Sequence, residues 1–254
     1  MRATHPLLEA REVTVRFGGL TAVDAVNAAF GAGELVGIIG PNGAGKTTFF
    51  NALSGVTPVS SGELYAQGDR LTGAGAHRFA RHGIARTFQT PRVFAELSVA
   101  ANIDFGLQFA GRRPTAAHER PRWLGDEAAI LELIGLARLK DLPAAAITPS
   151  QQRLLEIGMA LATRPRVLLL DEVAAGLTES EVEAMAQLIR RLRDELDLTV
   201  IWIEHAVTTL LRHVERVLVL HQGRKIADGT PAEVVRNAEV IEAYLGDEMA
   251  EPAA

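Results

Sequence analysis

Between positions 40 and 47 the chain reads Gly40-Pro41-Asn42-Gly43-Ala44-Gly45-Lys46-Thr47. The run Leu35-Val36-Gly37-Ile38-Ile39 before it is continuously apolar, as in a strand buried on both faces, and the residues from Lys46 to Leu53 after it read as a helix. Strand, glycine-rich turn and helix in immediate succession leave few folds open. The glycines let the backbone curl so that successive N–H groups converge on one point, and the helix start adds partial positive charge there. The full G-x-x-x-x-G-K-[ST] spacing is that of a phosphate cradle. On this reading Gly40, Asn42, Gly43, Ala44, Gly45, Lys46, Thr47 and Thr48 hold a nucleotide's phosphates, with Lys46 reaching the β and γ groups and the Thr47 hydroxyl offered to Mg²⁺.

Such a cradle belongs at the edge of a parallel sheet, and the chain supplies one. Two further runs, Val167-Leu168-Leu169-Leu170 and Thr199-Val200-Ile201-Trp202-Ile203, read as buried parallel strands with a helix over about 180–196 between them. The first ends in Asp171-Glu172, placing two carboxylates where open α/β sheets bind ligands. Asp171 would hold Mg²⁺ through water and Glu172 would polarise the water that attacks the γ-phosphate. Ahead of the loop, Val13, Val15 and Phe17 alternate with polar residues, so an antiparallel β layer is expected to begin at about residue 8. Residues 91–162, rich in Ala, Leu and Arg at helical spacing, read as a helical subdomain inserted into a core made of 1–90 and 163–254, all one domain over 1–254. Its exposed connection is expected over 111–122. Toward the end, the runs 216–220 and 225–227 around Gly223 predict a hairpin, Thr230-Pro231-Ala232-Glu233 a capping box, and Gly246 the stop of the last helix.

Composition removes whole classes of function. With 26 Lys plus Arg against 31 Asp plus Glu, net −5, the chain is not built to coat nucleic acid, and Arg78, Arg81, Arg86 and Arg92 read as a solvated helix face with partner contacts, without interleaved aromatics. No cysteine occurs, which excludes disulfides, thiolate metal sites and cysteine nucleophiles. The charged opening MRATHPLLEAREV is a poor secretory signal, so a cytosolic location is expected. No window approaches the roughly 18 uncharged apolar residues of a membrane span.

The phosphate loop, Arg86-Thr87-Phe88-Gln89, Asp171-Glu172 and Ile203-Glu204-His205 resemble, in order and spacing, the motifs of ATP-binding cassette (ABC) ATPases. Arg16-Phe17-Gly18-Gly19-Leu20, Ala227-Asp228-Gly229-Thr230-Pro231 and Ile241-Glu242-Ala243-Tyr244-Leu245-Gly246 make the chain most similar to the nucleotide-binding subunits of branched-chain amino acid importers. The resemblance implies a P-loop α/β fold of the ABC type, a mostly parallel core sheet with an antiparallel β layer and an inserted helical subdomain. It implies that Phe17 stacks on adenine, that Gln89 contacts Mg²⁺ and the attacking water and links the core to the helical subdomain, and that His205 touches the γ-phosphate. It further implies ATP and Mg²⁺ as cofactors, and as partners a second, related ABC ATPase, two permease subunits and, indirectly, a solute-binding protein, with the chain peripheral on the inner face of the membrane. Phe94, Leu97, Val99, Phe105 and Phe109 are the candidate surface for docking a membrane subunit.

The family's signature loop departs from its usual Leu-Ser-Gly-Gly-Gln: here it is Ile147-Thr148-Pro149-Ser150-Gln151. Thr148 is expected as N-cap, Pro149 as first helical residue and Gln151 as third, with the hydroxyls of Thr148 and Ser150 donating to an anion in place of the lost N–H. Thr148, Ser150 and Gln151 are thus candidate nucleotide contacts. Val173 stands where the family has proline, and Thr178 where it has Asp or Asn. Three other readings stay open: a soluble ABC ATPase in iron-sulfur assembly work, an importer ATPase for urea, amides, aromatic acids or lipid, and a regulatory subunit that barely hydrolyses ATP.

Overall fold

The computed structural model describes residues 6–110, 125–204 and 207–248. The chain opens with β1 (Leu8–Phe17), β2 (Leu20–Phe30), β3 (Leu35–Ile39) and α1 (Lys46–Leu53), then β4 (Ser61–Ala66), β5 (Asp69–Arg70), α2 (Ala76–Arg81) and β6 (Ile84–Arg86). Next come α3 (Val99–Ala110), α4 (Glu127–Leu133), 3₁₀ turns at Ala137–Leu139 and Ala144–Ala146, and α5 (Pro149–Ala162). It continues through β7 (Val167–Asp171), α6 (Glu179–Leu196), β8 (Thr199–Ile203) and α7 (Val207–Leu211). The last elements are β9 (Arg216–His221), β10 (Arg224–Gly229), α8 (Pro231–Val234) and α9 (Ala238–Glu248). Between β6 and β7 the described residues form helices and turns, with one isolated bridge from Ser98 to Pro143. The expected connection at 111–122 lies outside the described residues.

Two sheets result. One is antiparallel, in the order β2-β1-β4-β5; the other runs β10-β9-β3-β8-β7-β6, parallel from β9 to β6, with β10 returning antiparallel as the expected hairpin. The parallel strands read as unbroken apolar runs because both faces are covered. Leu35, Ile39, Leu168, Leu170, Val200 and Trp202 face a core closed by α5 and α6, through residues such as Leu155, Leu161, Ile189 and Leu192. The alternate residues Val36, Ile38, Leu169, Ile201 and Ile203 face a second core shared with Val13, Val15, Phe30, Phe49 and Phe50.

Local chemistry explains where elements begin. α5, α6 and α8 all open on a threonine whose hydroxyl accepts the third helical N–H, while the residue donating that N–H reaches back to the threonine amide: Thr148 with Gln151, Thr178 with Glu181 and Thr230 with Glu233. Two expectations fail. α9 continues through Gly246 to Glu248, since a helical glycine costs only about 1 kcal/mol and the apolar face carrying buried Val240 and Ala243 is already packed. The alternation in β1 breaks at Glu12, whose φ of 50° shifts the register, so Val13, Thr14 and Val15 are all buried while Phe17 is 53% exposed.

Candidate active site

The parallel pairing puts the carboxyl ends of β3, β6, β7 and β8 at one end of the sheet, and the loops beyond that end carry the residues singled out above. After β3 the glycines are required by position. A Cβ on Gly45, at φ 94°, would lie 2.2 Å from the Ala22 carbonyl oxygen, and one on Gly40 would lie 2.1 Å from that of Leu220. The loop is thereby wedged between β2 and β9. Lys46 is buried and its ammonium donates to the Gly40 and Pro41 carbonyls at 2.6 and 2.8 Å, while Thr47 is exposed. No side chain caps the first turn of α1, so its N–H groups are presented to the cleft.

That cleft has a volume of about 660 Å³. Asn42 to Thr48, Phe17, Gln89 and Glu172 line it, together with Leu20, which follows Phe17 in its motif, and with Thr21, Ala22, Gln222 and Gly223, which were not expected there. The Gln89 amide donates to the Glu172 carboxylate at 2.6 Å. Glu172 itself has φ 50°, held by its N–H on the Ile203 carbonyl at 3.0 Å and by the Arg153 guanidinium, which donates to its main-chain carbonyl. Asp171 is buried behind it. Its carboxylate accepts from Arg86 at 3.1 Å, in a pair whose side chains are only 10% and 4% exposed, and Arg86 also donates to Asn51 and Ser54 at the end of α1. Arg86 is therefore no part of a solvated face. Phe88 is interleaved between Arg86 and Arg92, whose guanidinium groups lie 4.5 and 4.2 Å from its ring, whereas Arg78 and Arg81 are exposed on α2 as expected.

Other candidates fall elsewhere. His205 lies outside the described residues. Its neighbour Glu204 is buried, accepts from the Ala174 N–H at 2.7 Å and the Trp202 indole at 2.9 Å, and is pushed above the usual carboxylate range by burial. Thr148, Ser150 and Gln151 do not line the cleft of their own chain. Within the chain the two hydroxyls have partners of their own. Thr148 accepts the Gln151 N–H at 3.3 Å and lies 3.0 Å from the Ser150 hydroxyl, and Ser150 shares a pocket wall with Glu181, whose carboxyl is held below its ordinary range by the Thr178 N–H and hydroxyl and by Ser150. The apolar stripe divides as well: Val99 is core, while Phe94, Leu97, Phe105 and Phe109 are exposed.

Sequence reasoning also missed Glu156, a lone acid in an apolar stretch of α5. It is buried, accepts the main-chain N–H groups of Phe88 and Arg92, and burial pushes it from 4.5 up to about 7. Between those values the folded chain keeps a proton that the unfolded chain releases. This group's contribution is thus fully present below pH 4.5 and lost as pH rises through about 7, a change of about 3 kcal/mol. Urea unfolding at pH 5 and pH 8 should show that component disappear in Glu156→Gln; parallel pH profiles for parent and variant would contradict it.

Comparison with known proteins fits this geometry. A family model described as ABC transporter matches residues 23–175, more than half of the chain. The chain belongs to the ABC transporter family. Its ATPase cassette resembles the ADP conformation of an ATP-binding cassette of an ABC transporter, with a TM-score of 0.83 and 29% identity over 96% of this chain and 100% of that one. A model for branched-chain amino acid ATP-binding cassette transporters matches residues 224–250. The chain is 39% identical to the high-affinity branched-chain amino acid transport ATP-binding protein BraF of Pseudomonas aeruginosa, over 96% of its length and 99% of that protein's. With the corresponding protein LivG of Escherichia coli it shares 37% identity, again over 96% and 99%.

Proposed function

We propose that the chain is the subunit that binds and hydrolyses ATP to power an importer for branched-chain amino acids. The convergence of the phosphate loop, Gln89 and Glu172 on one cleft carries the ATPase part of the reading. The names of the full-length relatives and the match over 224–250 support the cargo, and favour it over assembly work or over urea and amides.

In this reading the ATP phosphates lie along the N–H groups of residues 43–48, Lys46 turns from the loop carbonyls to the β and γ oxygens, and the exposed Phe17 ring stacks on adenine. The oxygens lining the cleft include those of the Thr47 hydroxyl, the Gln89 amide and the Glu172 carboxylate, with the Asp171 carboxylate buried behind them, a set that fits a hard cation. Thr47, Gln89 and Asp171 would hold Mg²⁺, which when bound draws charge from the transferring phosphoryl group. Glu172 takes the proton of the attacking water, and Gln89, already bonded to Glu172, orients that water. His205 is assigned to the γ-phosphate.

Among the described residues no helix is long and apolar enough to cross a membrane, so membrane work needs partners. Those proposed are a second, related ATPase facing this one across ATP, two permeases reached through Phe94, Leu97, Phe105 and Phe109, and a solute-binding protein beyond the membrane, the chain itself lying at the inner face. Deleting the gene should abolish high-affinity uptake of leucine, isoleucine and valine. Intact uptake of these with loss of another solute would reassign the cargo.

The signature loop should close over a partner's ATP less tightly than a glycine version, because Pro149 lacks an N–H and Glu181 sets a carboxylate beside Ser150. Glycines at 149 and 150 should therefore raise ATP-driven dimerisation or turnover severalfold, read by light scattering and phosphate release; no change in either would remove the argument.

A further inference from the structure

We infer that Glu156 is a positioning residue for Gln89: its carboxylate ties the main chain on both sides of Gln89 to α5 and so holds the Gln89 amide against Glu172. The inference rests on the ATPase reading of the cleft and adds to it a residue that no motif contains.

The Glu156 side chain points toward the residues that follow β6, and its two carboxylate oxygens are used separately. One accepts the Phe88 N–H at 3.2 Å and the other the Arg92 N–H at 2.9 Å, so the bonds bracket Gln89 by one residue before and three after. Gln89 and Thr90, between them, are exposed, and the Gln89 amide reaches Glu172 at 2.6 Å. Just before the segment, the Thr87 N–H is fixed on the Leu169 carbonyl at 2.9 Å, an extension of the β6 to β7 pairing. The segment is therefore anchored to the sheet at Thr87 and to α5 at both sides of Gln89.

One turn earlier on α5, Arg153 donates to the main-chain carbonyl of Glu172. Residues i and i+3 share a helix face. One face of α5 thus grips both backbone segments whose side chains meet in the cleft. A carboxylate with neighbours such as Leu155 and Ile157 is costly to bury unless its oxygens are bonded, and an aliphatic residue would serve packing alone. Holding the 88–92 segment is what a carboxylate does there that leucine cannot.

The test uses the full chain as Glu156→Gln, which keeps the shape but turns one of the two acceptors into a donor facing an N–H. At pH 8, where Glu156 is ionised, main-chain amide exchange at Phe88 or Arg92, or at both, should quicken at least about tenfold, the loss of one charge-assisted bond. Turnover should fall by about tenfold to a hundredfold, as for a misplaced catalytic group, with the KM for ATP within about twofold of the parent. Gln89→Ala alone should lower turnover, and adding Glu156→Gln to it should lower it no further. Thermal unfolding and nucleotide binding of Glu156→Gln verify that it is folded. Unchanged exchange at both amides, unchanged turnover, or losses that multiply in the double variant would each overturn the inference. A parent that hydrolyses no ATP in the assembled transporter would instead overturn the ATPase reading, and the exchange measurement would still decide whether Glu156 holds the segment.

Discussion

Replacing Glu172 with glutamine lowers the turnover number for ATP by a factor of about 10² to 10⁴, the usual worth of a positioned general base, while MgATP binding stays close to that of the parent. The geometry makes this a clean substitution. The Glu172 carboxylate accepts from Gln89 at 2.6 Å, and a glutamine oxygen at the same place accepts the same bond. Its backbone restraints, the Ile203 carbonyl and the Arg153 guanidinium, involve no side-chain oxygen and survive. What disappears is the capacity to take a proton from water. Phosphate release in single turnover, compared with equilibrium binding of a fluorescent ATP analogue, separates the two. Equal turnover in parent and variant would remove Glu172 from the mechanism and revive the reading of a regulatory subunit.

The second large effect is on affinity. Lys46→Ala should weaken ATP binding by roughly 10- to 100-fold, the range expected when a charge-assisted contact worth about 1.5–3 kcal/mol is lost. The figure stays modest because the ammonium is not waiting unpartnered: it must leave the Gly40 and Pro41 carbonyls, bonded at 2.6 and 2.8 Å, before it can serve a phosphate. Binding is therefore an exchange of acceptors. Titration calorimetry with ATP and with AMP decides the point, since AMP lacks the phosphates that Lys46 is assigned to and its weak binding should barely change. An equal loss for both nucleotides would mean that the substitution had collapsed the loop.

Much of the cleft was legible in sequence because its parts are local. The curl of residues 40–47 is set by glycines whose Cβ atoms would strike the Ala22 and Leu220 carbonyls, and the strands declared themselves by being apolar on both faces. What escaped depends on contacts between distant positions. Arg86 looked like one of four surface arginines, yet its partner Asp171 is 85 residues away, and nothing near Arg86 announces a buried ion pair. Arg92 and Glu156 are 64 apart. Only the oddity of an acid between Leu155 and Ile157 could have flagged Glu156. Gly246 failed in the opposite way: a good local stop signal was outweighed by the packing of Val240 and Ala243, which no local rule registers.

Arg86 also has a mechanical meaning. α1 is pinned at its start by the close approach of Gly45 to β2 and near its end by the bonds that Arg86 donates to Asn51 and Ser54, while Arg86 also grips Asp171. Phosphate loop and acid are therefore linked through Arg86, and α1 cannot slide without breaking the bonds that Arg86 gives to Asn51 and Ser54. α5 is joined to this linked unit along the chain on two sides, by residues 87–98 with the helices that follow and by the short link 163–166 into β7, so a stroke of the helical part has two covalent routes to the nucleotide, one past Gln89 and one into the strand that ends in Asp171.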